Sequence, residues 1–332
     1  MPDAHTDAGR PALAVGTEAA RVAYVVLAHS DPALFGRLMR RLDDPRAASF
    51  VHVDCKAPLE PFRRAAAGLD RVHFVEPRMK VMWAGFSQVE STLLSLEAAI
   101  AGTGPDCSHV VVISGADYPL AGNDEIMDFF AGNRGRQFIR RFAVMDSGDQ
   151  RQLWRLRGRH FREWADRFTP QRKPLYALEQ LLHLFPRRVP EGVTFALGSN
   201  WVALTRDCAI HCVERARRDR ALVDFFRPTF GPDEMFLHTL VENSPFAAEA
   251  GPIEPYVDIT RIGGSFHYGN VHALTPKVPV CSAAEADAIL RGRGVKLFTC
   301  KFSSSASAEA LDRLDAAAGV RPANRGPGER AA

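Results

Sequence analysis

The stretch Val22-Ala23-Tyr24-Val25-Val26-Leu27-Ala28 decides the fold class, because it is an unbroken apolar run of strand length. Such runs are typical of strands that are buried on both faces of a parallel sheet. The residues that follow, His29-Ser30-Asp31-Pro32, predict a helix start, since Ser30 or Asp31 can cap a helix and Pro32 suits its first position. The chain therefore begins its core with a strand, a turn and a helix.

The same unit recurs along the chain. Apolar runs at 50–54, 72–75 and 109–115 alternate with helical patterns, which predicts an α/β fold with a mainly parallel, Rossmann-like sheet flanked by helices. We expect one domain over residues 21–304, followed by a C-terminal helix at 305–319. Residues 1–20 and 320–332 have no periodicity, and we expect them to be a disordered leader and a disordered tail.

Composition narrows the class of protein. The chain has 332 residues, 46% hydrophobic content and a formal charge of +3, which suits a soluble enzyme and gives no overall argument for nucleic-acid binding. It has no apolar run of about 18 residues and no basic-then-apolar start, so we expect a cytoplasmic protein. Its six cysteines show no C-x-x-C pair or metal-ligand spacing.

Polar side chains follow the predicted strands. In parallel α/β sheets ligands bind at the carboxyl ends of the strands, where His29, Asp54 and Asp117 fall in this sequence. Trp83 could add an aromatic face on which a nucleotide base stacks. Neither the dinucleotide-binding glycine motif nor the P-loop motif occurs, so those two ligand classes lose their main support.

A second polar cluster begins a predicted helix. In Gly231-Pro232-Asp233-Glu234, the glycine can cap the helix and the proline suits its first position, so both acids are predicted in the first turn. The positive end of the helix dipole favours an ionised carboxylate there, which could serve as a general base. The simpler alternative is that both acids only complement the dipole. Consecutive helical side chains point about 100° apart, so at most one of these acids should face a given substrate.

A basic stretch with interleaved aromatic residues occupies 151–173. It could bind RNA, although such a run is more often a solvated helix face. Its aromatic residues could instead line an acceptor cleft, because flat apolar rings pack well on sugar faces.

Seven short motifs occur in one order, and together they are a specific signal. They are Val26-Leu27-Ala28-His29, His52-Val53-Asp54-Cys55-Lys56, 81–87, Ser114-Gly115-Ala116-Asp117-Tyr118-Pro119, Gly198-Ser199-Asn200-Trp201, Gly231-Pro232-Asp233-Glu234 and Leu297-Phe298-Thr299-Cys300-Lys301-Phe302. With these motifs, residues 21–303 resemble the core-2/I-branching β-1,6-N-acetylglucosaminyltransferase family, which also contains the peptide O-xylosyltransferases.

This resemblance implies a GT-A-like glycosyltransferase that inverts the anomeric centre and needs no metal or other cofactor. Glu234 matches the catalytic base. The expected donor-binding residues are His29, Asp54, Trp83, Lys277 and Lys301, and the expected acceptor-binding residues are Asp117, Asn200, Trp201 and Asp233.

The resemblance also implies the partners, which are a UDP-sugar donor and a glycan or other hydroxyl acceptor. No D-x-D motif occurs, so lysine or arginine would have to stabilise the leaving diphosphate. Lys277 is the nearest match for the second basic residue, with Arg293 and Lys296 as alternatives. The donor sugar stays open between N-acetylglucosamine and xylose.

Three other interpretations stay open at this point. They are a non-catalytic module that binds a nucleotide sugar or glycan, a nucleic-acid-binding protein that uses residues 151–173, and a metal-dependent transferase that uses Asp54 with Asp117. The basic helices also leave room for contact with an anionic membrane surface.

Overall fold

The computed structural model describes residues 21–256, 266–267, 271–274 and 279–319. The leader and tail expected at 1–20 and 320–332, and the expected donor residue Lys277, lie outside these ranges.

A five-stranded sheet forms the centre of the fold, in the order β3-β2-β1-β4-β8. Strands β1 to β4 are parallel, and β8 closes one edge in the antiparallel direction. Six of the seven residues of β1 are buried, because this strand has a neighbour on each side and helices on both faces. The predicted class, α/β with a mainly parallel sheet flanked by helices, is confirmed. These strands are β1 Val22–Ala28, β2 Ala47–Val53, β3 Val72–Phe74, β4 His109–Ser114 and β8 Ala203–Thr205.

A second, mixed sheet lies beside the first, in the order β5-β11-β10-β9. Its strands are β5 Asp117–Pro119, β9 Phe266–His267, β10 His272–Leu274 and β11 Phe298–Cys300, and a separate pair joins β6 Phe142–Ala143 to β7 Ala196–Leu197. The ring of Phe298 packs edge-on against Tyr24 of β1 at 6.1 Å between centroids. The two sheets therefore share one apolar layer.

Helices cover both faces of the central sheet. One core lies under α1, α4, α10 and α11, and the other lies under α3, α7, α8 and α9. The helices are α1 Pro32–Leu42, α2 Glu60–Ala65, α3 Ser87–Gly102, α4 Asn123–Gly132, α5 Gln150–Arg157, α6 Arg172–Leu182, α7 Arg206–Arg218, α8 Arg220–Phe226, α9 Phe236–Glu242, α10 Ala283–Gly292 and α11 Ala308–Ala317, with 3-10 turns at Pro232–Glu234 and Pro245–Ala250.

Helix α1 shows how the sequence produces these elements. Of the two predicted caps, Asp31 is the one used, since its Oδ1 accepts a hydrogen bond from the N–H of Leu34 at 3.0 Å. Such a cap contributes about 1 kcal/mol. The apolar stripe of α1 is buried against the sheet, and truncating its fully buried Leu38 to alanine would cost roughly 2–5 kcal/mol.

The C-terminal helix α11 is attached to the same core. Asp315 accepts hydrogen bonds from Arg37 at 2.6 Å and from the hydroxyl of Tyr118 at 2.8 Å, which joins α11 to α1 and β5. Among the described helices, none combines the length and the apolar content that crossing a bilayer requires.

Candidate active site

The carboxyl ends of the parallel strands form one side of the candidate site. Asp54 directly follows β2, and its backbone N–H donates to the carbonyl of Ala28 at 2.8 Å, so the ends of β1 and β2 stay in register. Its carboxylate Oδ1 accepts from the N–H groups of Lys56 at 3.0 Å and Val81 at 3.4 Å. The buried Asp54 thus presents a fixed acceptor group at the carboxyl ends of the parallel strands. We refer to this end of the sheet as the sheet edge.

Arg78 holds the turn that carries Asp54. Its guanidinium donates to the carbonyl oxygens of Val53 at 3.0 Å, Asp54 at 2.8 Å and Ala57. The sequence did not indicate Arg78, because nothing in the local pattern shows that a guanidinium reaches back across 21 or more positions to a turn.

His29 and Lys301 lie at this same edge. Partial burial lowers the pKa of His29; the carboxylate of Asp54 opposes that effect, and the nearby ammonium groups of Lys301 and Lys56 add to it. His29 is therefore neutral at pH 7, where its ring nitrogens can donate one hydrogen bond and accept another. The structure brings His29, Asp54 and Lys301 together, as the expected donor-binding site requires.

Lys301 is held in place by its neighbours on the chain. The N–H of Phe302 donates to the carbonyl of Ala116 at 2.9 Å, and the N–H of Ser304 donates to Asp31 Oδ2 at 2.7 Å. These bonds fasten the segment after β11 to the turns that follow β1 and β4. Lys301 is therefore fixed at the sheet edge, with its side chain exposed to solvent.

The two alternative basic residues lie at the other end of β11. Arg293 donates to the carbonyl of Leu120 at 3.2 Å and forms an ion pair with Glu125 at 2.8 Å. Lys296 is buried, and burial lowers its pKa to about 8. Lys301 follows the last residue of β11, whereas Arg293 and Lys296 precede its first, so the whole strand, roughly 10 Å long, lies between Lys301 and both residues. Neither Arg293 nor Lys296 lies beside Lys301, and Lys277 lies outside the described residues.

Trp83 connects the sheet edge to the second side of the site. Its indole is 48% exposed, packs edge-on against Phe230 at 5.7 Å and carries the guanidinium of Arg167 at 4.3 Å from the ring centroid. The aromatic face expected for stacking a base is present, and in this structure a cation covers part of it. A base that stacks on this ring would have to displace or share that face with Arg167.

The predicted helix start is present, with Gly231 as its cap, Pro232 at its first position and both acids in its first turn, but it is a short 3-10 helix that does not continue into the α-helix. Pro232–Glu234 forms a separate 3-10 turn, Met235 leaves helical geometry, and α9 begins at Phe236. Gly231 has φ of 60°, in the left-handed region where a glycine fits without steric cost. The apolar face predicted for the helix is confirmed, since Phe236, Leu237, Leu240 and Val241 are buried.

An arginine holds Glu234. The Nη2 of Arg155 in α5 donates to Glu234 Oε2 at 2.7 Å and to the carbonyl of Gly231 at 2.9 Å, while its Nε donates to the carbonyl of Phe230 at 3.0 Å. A Cβ at residue 231 would lie 2.7 Å from Nη2, so glycine also makes room for the guanidinium. The side chain of Glu234 remains 47% exposed, which leaves a fixed carboxylate that solvent or a ligand can reach.

Asp233 points in a different direction from Glu234, as the angular argument predicted. Its Oδ2 accepts from Gln88 at 3.3 Å and from Asn200 at 3.4 Å. Burial, with the neighbouring carboxylate of Glu234, raises the pKa of Asp233 to about 7. The structure therefore brings Asp233 and Asn200 into contact. Gln88 is a third residue of this hydrogen-bonded group, and the sequence did not indicate it.

Asp117, expected to contact the acceptor, is fully buried and cannot make that contact in this structure. The residue has no exposed surface; its carboxylate accepts from the Ser114 hydroxyl at 2.6 Å and lies 3.4 Å from His272. Its role in this structure is to join β4 to the second sheet. Trp201, also expected at the acceptor, is half-buried with its ring 6.0 Å from that of His272.

The basic stretch 151–173 is not simply a solvated face. Besides Arg155, Arg172 turns inward and forms a buried ion pair with Glu179 at 2.5 Å. Arg162 lies over the ring of Phe230 at 4.5 Å. Three of the guanidinium groups of this stretch are therefore directed into the protein, while Arg151, Arg167 and Lys173 are exposed.

Within residues 21–256, 266–267, 271–274 and 279–319, no three histidine, cysteine or acidic side chains are grouped so that they could hold a metal ion.

The fold and the site define an α/β protein with a two-part site, in which the loop at residues 81–86 connects polar groups at the carboxyl ends of the strands to the turn that carries an ion-paired carboxylate. The chain belongs to the Core-2/I-Branching enzyme family, whose model matches residues 22–250. This is a family of glycosyltransferases, and the match confirms the resemblance found in the motifs.

Xylosyltransferases are among the relatives. Xylosyltransferase 2 of Mus musculus is 24% identical over 327 residues, which cover 91% of this chain and 34% of that protein. Xylosyltransferase 2 of Homo sapiens is 26% identical over 239 residues, 68% of this chain and 25% of that protein. Xylosyltransferase oxt of Drosophila pseudoobscura pseudoobscura is 24% identical over 215 residues, 63% and 22%. The chain thus spans about a fifth to a third of the length of these curated relatives.

Proposed function

We propose that this protein transfers a sugar, xylose or N-acetylglucosamine, from a UDP-sugar to a hydroxyl group of a glycan or other acceptor, with inversion at the anomeric carbon and without a metal ion. The donor would lie along the sheet edge and the acceptor on the side of Glu234. Family membership supports the transferase class, and the names of the relatives favour xylose.

One observation carries the proposal. The loop at residues 81–86 contacts both sides of the cleft, since the N–H of Val81 donates to Asp54 at 3.4 Å and the carbonyl of Ala84 accepts from the N–H of Gly231 at 3.0 Å. Three residues of chain span at most about 10 Å. The loop, which also carries Trp83, thus joins the acceptor group proposed for uridine to the turn that carries Glu234, the carboxylate proposed to remove the proton.

The reaction would proceed by in-line displacement. A lone pair of the acceptor oxygen forms a bond to the anomeric carbon, the bond from that carbon to the diphosphate oxygen breaks, and UDP leaves with the electron pair. Glu234 accepts the hydroxyl proton, with Arg155 keeping its Oε2 in place. Lys301, with Lys277 as a second cation, would stabilise the charge that develops on UDP, the task that a metal performs in other enzymes.

Binding is the first test. The melting temperature of the full chain is measured with UDP, UDP-xylose, UDP-N-acetylglucosamine, GDP-mannose and NAD, each with and without EDTA. A ligand at about 100 times its Kd adds about 2.7 kcal/mol of stability, which gives a shift of several degrees. We expect stabilisation by UDP and by one UDP-sugar, unchanged by EDTA. Loss of the shift in EDTA would point to the metal-dependent alternative, and no response to any uridine nucleotide would remove the donor site.

Turnover separates the enzyme from a binding module. The UDP-sugar that stabilises the chain is incubated with it, and release of UDP is followed with and without simple hydroxyl acceptors. Slow hydrolysis or transfer is expected, because a positioned base can also activate water. A chain that binds the donor tightly yet never releases UDP would be the nucleotide-sugar-binding module instead.

A further inference from the structure

Helix α6 reverses the usual arrangement of a surface helix, because it buries charged side chains and exposes apolar ones. The charged pair Arg172 and Glu179 is buried, with a distance of 2.5 Å between Nη2 and Oε2. The side chains of Leu178 and Leu181 on this helix, and of Phe185 just after it, face solvent at helical spacing. An amphipathic helix normally buries its apolar stripe and exposes its charges, so the exposed stripe requires an explanation.

The exposed apolar residues concentrate in this one region. Among the described residues, seven of the nine large apolar side chains with high exposure fall between 164 and 185. They are Trp164 at 72%, Phe168 at 87%, Tyr176 at 55%, Leu178 at 40%, Leu181 at 58%, Leu184 at 72% and Phe185 at 64%. We refer to these seven residues as the apolar surface.

Positive charge surrounds the apolar surface. Residues 151–190 contain ten lysine and arginine residues against three acids, whereas the whole chain has a formal charge of only +3, so the rest of the chain is negative. Of those three acids, Glu179 is buried against Arg172 and Asp166 lies 3.5 Å from Lys56. The exposed cations beside the surface include Arg167, Lys173 and Arg188.

The combination of exposed apolar side chains and neighbouring cations indicates what the apolar surface can bind. Apolar and aromatic side chains with a cationic rim are the features of segments that lie in the interface of a bilayer, where the rings and leucines enter the boundary of the acyl chains and the cations meet lipid phosphates. A soluble anionic ligand would satisfy the cations and leave the apolar side chains in water. A negatively charged membrane satisfies both.

The apolar surface is also joined to the candidate active site. Glu163 accepts from the N–H of Ser87 at 2.8 Å, and Arg167 lies over Trp83 at 4.3 Å and over Phe168 at 5.1 Å. The segment 161–168 therefore borders the cleft on one side and carries part of the apolar surface on the other.

We propose that the apolar surface docks the protein on an anionic lipid membrane, peripherally and reversibly, with the cleft close to the plane of the lipid headgroups. This inference goes beyond the proposed function and does not depend on it, because the surface exists whatever reaction the cleft performs. Binding by a lipid-facing surface of this kind falls as salt rises, since the cations contribute by screened attraction.

Sedimentation with vesicles tests the proposal. The full chain is mixed with extruded vesicles of phosphatidylcholine alone or of equal parts phosphatidylcholine and phosphatidylglycerol. We expect it to pellet with the mixed vesicles and much less with phosphatidylcholine. The Leu181→Gln/Leu184→Gln variant should lose roughly tenfold or more in partition coefficient. The Lys173→Gln/Arg188→Gln variant should lose roughly fivefold per charge, and less in high salt.

A matched control keeps the result specific. Val295 is 71% exposed outside the apolar surface, so Val295→Gln replaces an exposed apolar side chain elsewhere and should bind as the unmodified chain does. Unchanged melting temperatures show that the variants are folded. Absence of binding to the mixed vesicles, or equal binding by the leucine variant, would overturn the proposal. So would light scattering that shows a dimer which the leucine variant converts to a monomer, because the surface would then be a subunit contact.

Discussion

The two sides of the cleft are built in different ways. At the sheet edge, His29, Asp54 and Lys301 each directly follow a strand, and backbone hydrogen bonds between neighbouring strand ends hold them. On the opposite side, Glu234 depends on Arg155, which lies 79 residues earlier in the chain. The core therefore positions the groups at the sheet edge, whereas one long-range ion pair positions Glu234, the proposed base. A binding group can be placed by the fold alone, while an oriented base needs a dedicated partner.

The largest effect should come from the base itself. Glu234→Gln keeps the size of the side chain and removes the proton acceptor, so we expect turnover to fall by roughly 10² to 10⁴ while the Kd for UDP stays the same. Steady-state UDP release and calorimetric UDP binding measure the two quantities. The exposed Glu191→Gln serves as control. Normal turnover in the Glu234 variant would remove this residue from the role.

The sheet edge should show the opposite pattern. Lys301→Met removes one cation from the expected diphosphate site, which we expect to weaken UDP binding by about 1.5–3 kcal/mol, the range for a hydrogen bond to a charged group. Arg293→Met, at the other end of β11, is the matched control and should leave the Kd unchanged. If the two variants weaken UDP equally, the loss reflects the charge of the whole protein rather than a site.

Arg155 tests whether the ion pair positions the base. Lysine keeps the charge but cannot reproduce the forked contacts to Glu234, Gly231 and Phe230. We expect Arg155→Lys to lower turnover by about 1–2 kcal/mol in activation free energy, roughly 5- to 30-fold, with the Kd for UDP retained. Equal losses in turnover and in UDP binding would mean that the turn has collapsed, and the sharp contrast between the two sides would disappear.

The smallest effect concerns Asp233 and pH. Its folded-state pKa of about 7 lies above the usual value of about 3.9, so the stability present below about pH 4 is lost as the pH rises towards 7. Asp233→Asn mimics the protonated form and can still accept from Gln88 and Asn200. We expect equal stability of variant and parent near pH 4 and a gain of about 1–2 kcal/mol for the variant near pH 8, discounted for partial exposure.

Urea unfolding at the two pH values measures this difference, with the exposed Asp106→Asn as control. A variant that is less stable than the parent at pH 8 would show that the ionised carboxylate of Asp233 is favourable in the folded protein.

The same contrast explains which parts of the fold and of the candidate site could be predicted from the sequence. Buried strands such as 22–28 are recognisable in the sequence as apolar runs, so the fold class could be predicted. The topology of the sheet then places the residues that follow each strand, so the positions of His29 and Asp54 could be predicted as well. The partnership of Glu234 with Arg155 could not, because a pattern at one position does not contain the identity of a residue 79 positions away. The helix predicted from Pro232 is interrupted for a related reason, since bonds from Arg155 and the backbone of residue 84 hold Gly231 and the 3-10 helix Pro232–Glu234 separate from α9.

Asp117 and α6 show a further limit. Ser114-Gly115-Ala116-Asp117 looks like a polar strand end open to ligands. Asp117 instead begins β5 of the second sheet and is buried there, and the other strands of that sheet come from residues more than 140 positions later in the chain. Residues 175–185 have apolar side chains at a spacing that usually marks a core helix. The structure instead buries the charges of that helix, which no local rule could have indicated.

Ala84 has φ of 59°, a backbone conformation that costs an alanine about 1–2 kcal/mol and costs a glycine almost nothing. The protein accepts that cost at the residue whose carbonyl meets Gly231 beside the cleft. For an engineer, this separates thermal tolerance from chemistry: Ala84→Gly can recover part of the lost stability, less the added freedom of the unfolded chain, without altering a group that binds or reacts. A search for heat-resistant variants of this enzyme should therefore begin in the backbone of this loop rather than in the core.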